Sequence, residues 1–281
     1  MRNNEDRFGA AKVADSPIPL AETTNNSNTL NFVVPTDFVE LPSAGKYYAE
    51  EHPLHNQEHI EIRQMTAKDE DILTSRALLQ KGVAIERLLQ NLIINKNINV
   101  SEILVGDKNA IMMAARSSAY GNMYETKVQC LYCNNVSDHA FDLSEVKPKT
   151  VESTGASSTK NGTFIIELPA SKAKVEVRFL DGKDEADLLA YSEKKKQYNL
   201  LDNPVTDQMK AFIVSINNVV DAKEISSFVD NMPAKDSHYL RTKYMSLVPN
   251  IDLTQKVKCK NCFTEAEMEV PFTTDFFWPK R

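Results

Sequence analysis

Residues 128–133 read VQCLYC and residues 257–262 read VKCKNC, and these two Cys-x-x-Cys pairs contain all four cysteines of the chain. A pair at this spacing presents two thiolates from one tight turn, and a closed structural zinc site needs four such ligands in a tetrahedron. Cys130, Cys133, Cys259 and Cys262 together supply that set. Because Zn–S bonds are ~2.3 Å long, one Zn2+ ion would hold both knuckles together and tie the two halves of the chain to each other. Four protein ligands leave no position for a water, so such a site is structural and supplies no Lewis-acid chemistry. The interval of 125 residues between Cys133 and Cys259 (259 − 133 − 1) far exceeds the ~15–20 residues of an ordinary two-knuckle site. The spacing within each pair points to zinc; only the fold decides whether the pairs meet. A redox pair is the first competing use, but such pairs sit at a helix N-terminus where the dipole lowers the thiol pKa. Here each pair follows a Lys-Val of strand character and precedes polar turn residues. Thiols that bind nothing and separate sites are further alternatives, and His139, six residues after Cys133, ranks below the four-cysteine set as a ligand.

The rest of the sequence offers little that reacts. The chain has eight glycines and no phosphate-cradling glycine motif. His52, His55 and His59 cluster in HPLHNQEH, but Pro53 and the strand-like residues that follow make this an exposed loop. The acids of KDED (68–71) and KDEA (183–186) fit the positive end of a helix, and Lys194, Lys195 and Lys196 read as a solvated helix end. No catalytic constellation emerges, and the expectation is a protein that is not an enzyme. A net charge of −6 argues against broad binding to nucleic acid or anionic membrane. No apolar run approaches the ~20 residues of a membrane span. MRNNEDRFGAAKVADS at the N-terminus has no apolar core, so no signal peptide is expected and the thiols are expected in a reducing cytoplasm.

The elements that must position the cysteines follow from periodicity. Residues 1–35 read as a flexible arm and 147–162 as a linker, with one unit over 36–146 and another over 163–281. HIEIR (59–63) alternates like a half-buried strand, and Thr66 and Asp69 mark a helix start. Ile85, Leu88, Leu89, Leu92 and Ile93 form a helical stripe, and Gly106-Asp107 opens a further helix that ends at Gly121. TFIIEL and KVEVRFL read as a hairpin. The two units resemble each other. IEIR then KDEDIL recurs as VEVR then KDEADLL at an offset of 115 (175 − 60). Met209, Phe212, Ile213 and Ile216 repeat the stripe at an offset of 124 (209 − 85), and Asp236 follows Asp107 at 129 (236 − 107), as do the cysteine pairs. The offset grows along the chain, as small insertions in the second copy would produce. The predicted fold is therefore α+β: two duplicated strand–helices–CxxC units joined through a zinc-ribbon-like four-cysteine knuckle. In the tail TTDFFWPKR, Phe276, Phe277 and Trp278 are expected to pack against the knuckle, or else to dock a partner.

LPSAGKYY, MTAKDEDIL and the helix GDKNAIMMAARSSAYG with a Cys-x-x-Cys just after it resemble the T4-like bacteriophage baseplate hub assembly proteins. The resemblance runs from Phe38 to Val146. It is strongest at Gly106-Asp107, Arg116, Tyr120-Gly121, Cys130 and Cys133, and continues more weakly to the second knuckle. It implies a structural or assembly role in the hub of a contractile-tail baseplate, built in the cytoplasm of an infected host, with other hub and baseplate proteins as partners. Retention in the finished virion is not implied. Arg116 and Tyr120, four apart on one helix face, would orient that helix against the knuckle, with a charge partner on another subunit as the weaker option. The competing reading is a zinc-ribbon nucleic-acid-binding protein with Lys256, Lys258 and Lys260 on one strand face. A metallo-hydrolase built on HPLHNQEH is remote.

Overall fold

Alternation in HIEIR gives the first ordered pairing. β1 (Thr36–Glu40) runs antiparallel to β2 (His59–Arg63), and Ile60 and Ile62 of β2 turn into the core. The computed structural model describes residues 33–149, 157–158, 162–272 and 276–277, so nearly all of the expected arm and Trp278 lie outside the described residues. Residues 34–281 form one compact unit. After β2 come α1 (Ala67–Thr74), α2 (Arg76–Gln80) and α3 (Ala84–Leu92). α3 buries Leu88, Leu89 and Leu92 on the predicted stripe. Ile93 has already left the helix and bridges to Ile62 of β2. α4 (Val105–Tyr120) then leads into the hairpin β3 (Met123–Gln129) and β4 (Val136–Asp142).

The segment after β4 carries β5 (Lys147–Pro148) and β6 (Ser157–Ser158). β5 pairs with β10 (Ile251–Asp252), and β6 extends an antiparallel sheet in the order β6-β7-β8-β9. Here β7 is Phe164–Glu167 and β8 is Lys174–Val177, the expected hairpin. α5 (Gly182–Gln197) and α6 (Pro204–Phe212) follow, then β9 (Ile213–Ile216), α7 (Ala222–Asp230) and α8 (Ala234–Leu247). The last hairpin is β11 (Thr254–Lys258) with β12 (Glu265–Glu269). The stripe read through Ile213 and Ile216 is thus corrected: α6 ends at Phe212, and these residues form a strand on β8. The run Ile213-Val214 is β-branched, and β8 has a free side for it, so pairing wins over helical continuation.

Strand and helix are locked by charge in both halves. The Arg63 guanidinium meets the Asp69 carboxylate through two parallel bonds of 2.6 and 2.8 Å, and Thr66 donates its N–H and hydroxyl to the same carboxylate. Arg178 and Asp184 make the matching fork at 2.6 Å and 2.6 Å. The acids of KDED and KDEA therefore do more than complement a helix dipole, because the first Asp of each is the anchor for the arginine at the end of the preceding strand (Arg63) or just past it (Arg178). Lys195 departs from the solvated reading too: its ammonium is buried and lies 2.6 Å from Asp207. Its neighbours Lys194 and Lys196 are exposed.

Two expectations follow. Burial alone would push Asp69 up, but the Arg63 guanidinium and the Thr66 donors hold it well below the usual carboxylate range. A depressed folded-state pKa contributes stability above the unfolded value of ~3.9 and loses it as pH falls toward the folded value. Asp69→Asn should therefore cost about 3 kcal/mol near neutral pH, with the penalty shrinking below about pH 4, in urea denaturation across pH. Gly106 poses a different constraint, since a Cβ there would lie 1.9 Å from the Pro249 carbonyl oxygen. Gly106→Ala should destabilise by about 3 kcal/mol in the same assay through overpacking of backbone on backbone.

Candidate metal centre

The helix before each knuckle is set by a buried acid. Asp107, the third residue of α4, accepts the Ser43 backbone N–H at 2.9 Å, the Ser43 hydroxyl at 2.6 Å and the Tyr48 hydroxyl at 2.7 Å. Burial dominates at this carboxyl and raises its pKa, although all three donors favour the anion. The expectation that Gly106-Asp107 caps α4 is thus corrected: Val105 starts the helix, and Asp107 reaches away to the LPSAGK turn. In the second half Asp236, third in α8, accepts the backbone N–H groups of Ala170 and Ser171 at 2.7 and 2.9 Å. That turn follows Glu167-Leu168-Pro169, as the first follows Glu40-Leu41-Pro42, a match at an offset of 127 (167 − 40). The offset therefore first falls to 115 before it grows. The loop between β1 and β2 spans residues 41–58 and that between β7 and β8 residues 168–173, which accounts for the change of twelve. The ELP match was the available signal for both turns.

At the other end of α4, Gly121 adopts φ 80°, and the Arg116 guanidinium donates to the carbonyls of Gly121 at 2.9 Å and Met123 at 3.4 Å. These bonds fix the turn into β3, where Tyr124, Thr126 and Val128 face inward and Cys130 is buried just beyond the strand. β11 leads to Cys259 in the same manner, with Val257 buried. The two hairpins are joined by Gln255, whose side-chain amide bonds both ways to the Asp142 backbone: Nε2 donates to the carbonyl at 2.7 Å and Oε1 accepts the N–H at 3.2 Å.

The knuckles share one geometry. The Cys130 N–H donates to Asn135 O and the Asn134 N–H to Cys130 O; the Cys259 N–H donates to Thr264 O and the Phe263 N–H to Cys259 O. Asn134 and Phe263 take the left-handed conformation at φ 54° and 58°. The four sulfurs converge, with Cys130 Sγ 3.7 Å from Cys262 Sγ, Cys133 Sγ 3.7 Å from Cys259 Sγ, and all four within 4.8 Å of one another. A tetrahedron of Zn–S bonds has an edge of about 3.8 Å, so the cluster has the size of a four-thiolate metal site. N–H groups point at the sulfurs: Asn261 donates its backbone N–H toward Cys259 Sγ at 3.4 Å and its side chain toward Cys133 Sγ at 3.7 Å. Bonds from the Thr264 side chain and backbone push the Cys262 thiol down to about 6, and the Asn135 N–H pulls Cys133 down as well. A thiol lowered as far as that of Cys262 is mostly ionised at neutral pH, the form that binds metal. Four cysteines close together in this way could bind a metal ion.

The other candidate residues go elsewhere. His139 stacks edge-on against Phe141 at 4.7 Å and belongs to no ligand cluster among the described residues. His52 stacks on Tyr48, and His55 bonds to the Tyr48 carbonyl, so neither joins a metal site with His59. Lys256 and Lys258 lie opposite Glu267 and Glu265 across the β11–β12 ladder, which interleaves each positive charge with a negative one. Phe276 is buried against Tyr124 of β3 at 5.2 Å, and Phe277 is buried beside it, so the described part of the aromatic tail packs on the first hairpin.

Fold and site together define an α+β chain in which a mid-chain hairpin and the last hairpin converge on one four-thiol cluster. The T4 bacteriophage base plate protein family matches residues 35–278, and the chain belongs to that family. Neither the curated proteins nor the solved structures contain a match to the chain. No helix among the described residues is long and apolar enough to cross a membrane.

Phe263 provides a test of the knuckle. A bulky residue in the left-handed region costs about 1–2 kcal/mol, and Phe263 is 71% exposed, so little packing offsets that cost. Phe263→Asn, which copies Asn134, should raise stability by about 1 kcal/mol in chemical denaturation.

Proposed function

We propose that the protein is a non-enzymatic structural or assembly component of the hub of a contractile-tail baseplate, acting through contacts with other hub and baseplate proteins. Cys130, Cys133, Cys259 and Cys262 hold one structural Zn2+ ion that staples two duplicated units, residues 36–146 and 163–281, with 147–162 between them and 1–35 as an arm. Assembly takes place in the host cytoplasm. The observation that carries this reading is the convergence of the four sulfurs from hairpins 132 and 126 residues apart in sequence, in a chain of the base plate family. Zinc is favoured over other metals because an all-thiolate tetrahedral set of this size suits it, and the ion closes the fold without an open position for chemistry. The duplication is supported by recurrent contacts: the Arg63–Asp69 and Arg178–Asp184 forks, Asp107 and Asp236 on their ELP turns, and the matched knuckles. The nucleic-acid alternative finds no support on β11, where glutamates on β12 match its lysines.

The zinc content of the purified chain tests the staple. One Zn2+ per chain is expected, lost in Cys259→Ser with a large drop in stability, because the folded state then forfeits the metal-binding free energy. Two ions per chain, or one that survives Cys259→Ser, would sink the shared site. A tagged chain expressed during infection should sediment with baseplates or their hub precursors, and free protein alone would count against the assembly role.

A further inference from the structure

Arg116 is a buried cation that the acids of the described residues leave unmatched. Its side chain is 2% exposed, yet the described residues place no carboxylate within ion-pair distance, in contrast to Arg63, Arg178 and Lys195. A guanidinium has five N–H donors. The Gly121 and Met123 carbonyls engage one nitrogen each, and Nε has no partner. The rings of Tyr120 and Tyr124 lie 5.1 and 5.9 Å from the guanidinium carbon, so it is held by aromatic faces and carbonyls alone. An unpaired buried charge is costly, and it is tolerated where something else completes it.

Arg116 lines a cavity of about 610 Å³ beside the first hairpin. Tyr120 and Tyr124 form part of its wall, and Lys127 and Lys260 add positive charge from β3 and from the second knuckle. Glu125 and Asp138 are also in the wall, and Asp138 lies opposite Lys127 across the β3–β4 ladder. Three cations against two acids leave a local charge of +1 (3 − 2) in a chain of net −6. That sum suits one monovalent anion better than a dianionic phosphoryl group, which the two wall acids would repel. A planar guanidinium with free donors accepts a carboxylate through paired bonds, and the tyrosine rings give an apolar neighbour of such a group a surface to rest on.

We propose that this cavity is a recognition site for a carboxylate side chain, Asp or Glu, presented next to an apolar residue by a peptide segment of a partner baseplate protein. The proposal rests on the assembly role above and names the chemistry of one of its contacts. Arg116 is the anchor, and Lys260 brings the second knuckle to the same ligand, so that closure of the thiol cluster completes the site.

The test is titration of the full-length metal-loaded chain with acetyl-Phe-Glu-amide, acetyl-Phe-Gln-amide and inorganic phosphate. It is followed by the 15N–1H signal of Arg116 Nε. The Glu peptide is expected to shift that signal saturably in the millimolar range, and the Gln peptide to bind at least about tenfold more weakly. Lys260→Glu, an exposed substitution checked for unchanged metal content, should weaken the Glu peptide about tenfold. Arg116→Lys, which keeps the charge and loses the fork, should abolish saturable binding. If Arg116→Lys fails to fold, the Lys260→Glu result decides. Equal response to both peptides, binding unaltered by Lys260→Glu, or no response to the Glu peptide would overturn the proposal. Saturation by phosphate but not by the Glu peptide would overturn it in favour of a phosphoryl ligand. Absence of peptide binding while the wild-type chain still sediments with baseplates removes this site and leaves the assembly role standing. Peptide binding by a chain that never joins baseplates does the reverse.

Discussion

A carboxylate with no access to water must find its donors inside the protein, and the third residue of the helix before each knuckle is such a group. Asp107 takes three donors from Ser43 and Tyr48, and Asp236 takes two from Ala170 and Ser171. Each acid joins the first turn of its helix to a loop that follows a strand more than sixty residues earlier. The helix axis is thereby fixed relative to the sheet, and the strand that leaves the helix C-terminus inherits that direction. The sulfurs meet because both helices are aimed in this way. Gly106 permits the remaining approach, since α4 lies against the backbone that follows α8 only where no Cβ intervenes.

Around this frame, polar contacts specify angles and apolar burial supplies the bulk of the stability. The forks Arg63–Asp69 and Arg178–Asp184 set the turn between strand and helix. The core contacts between residues 36–146 and 163–281 are partly aromatic: Tyr47 meets Phe179 at 4.9 Å and Phe164 at 5.6 Å. Phe212 stacks on Tyr244 at 4.0 Å. Backbone also crosses, with the Val105 N–H donating to Leu180 O and the Gly182 N–H to Ile103 O. Paired main-chain groups of this kind leave few buried donors unsatisfied where the two halves join.

Much of this was legible in the sequence, for reasons that differ from one residue to the next. The cysteines could be read because metal-ligand spacing is local, and HIEIR because a strand's alternation is local. IEIR and KDED could be matched to VEVR and KDEA as strings, but their meaning as ion pairs was hidden. The arginine and the aspartate lie six residues apart across a strand, a bend and a helix start, a separation that no helical or strand rule relates. Ile213 and Ile216 were misread because a short apolar run fits helix and strand equally, and the deciding partner, β8, is some 40 residues away. The role of Asp107 was invisible for the same reason, its partner Ser43 being 64 residues distant. Lys195 looked like its neighbours because only tertiary packing distinguishes the buried lysine of three in a row.

The order in which the thiol pairs occur along the chain has a consequence for synthesis. Cys130 and Cys133 leave the ribosome long before Cys259 and Cys262, and the sulfur contacts span 132 and 126 residues. Closures of such long range form late in folding. During translation the first knuckle must therefore wait with its thiols unmatched until the second hairpin emerges. A nascent chain interrupted anywhere in that interval displays a half-built cluster that is open to oxidation or to the wrong partner. Only a polypeptide made through Cys262 can bring the four sulfurs together, so the cluster forms on no chain that stops short of its second knuckle.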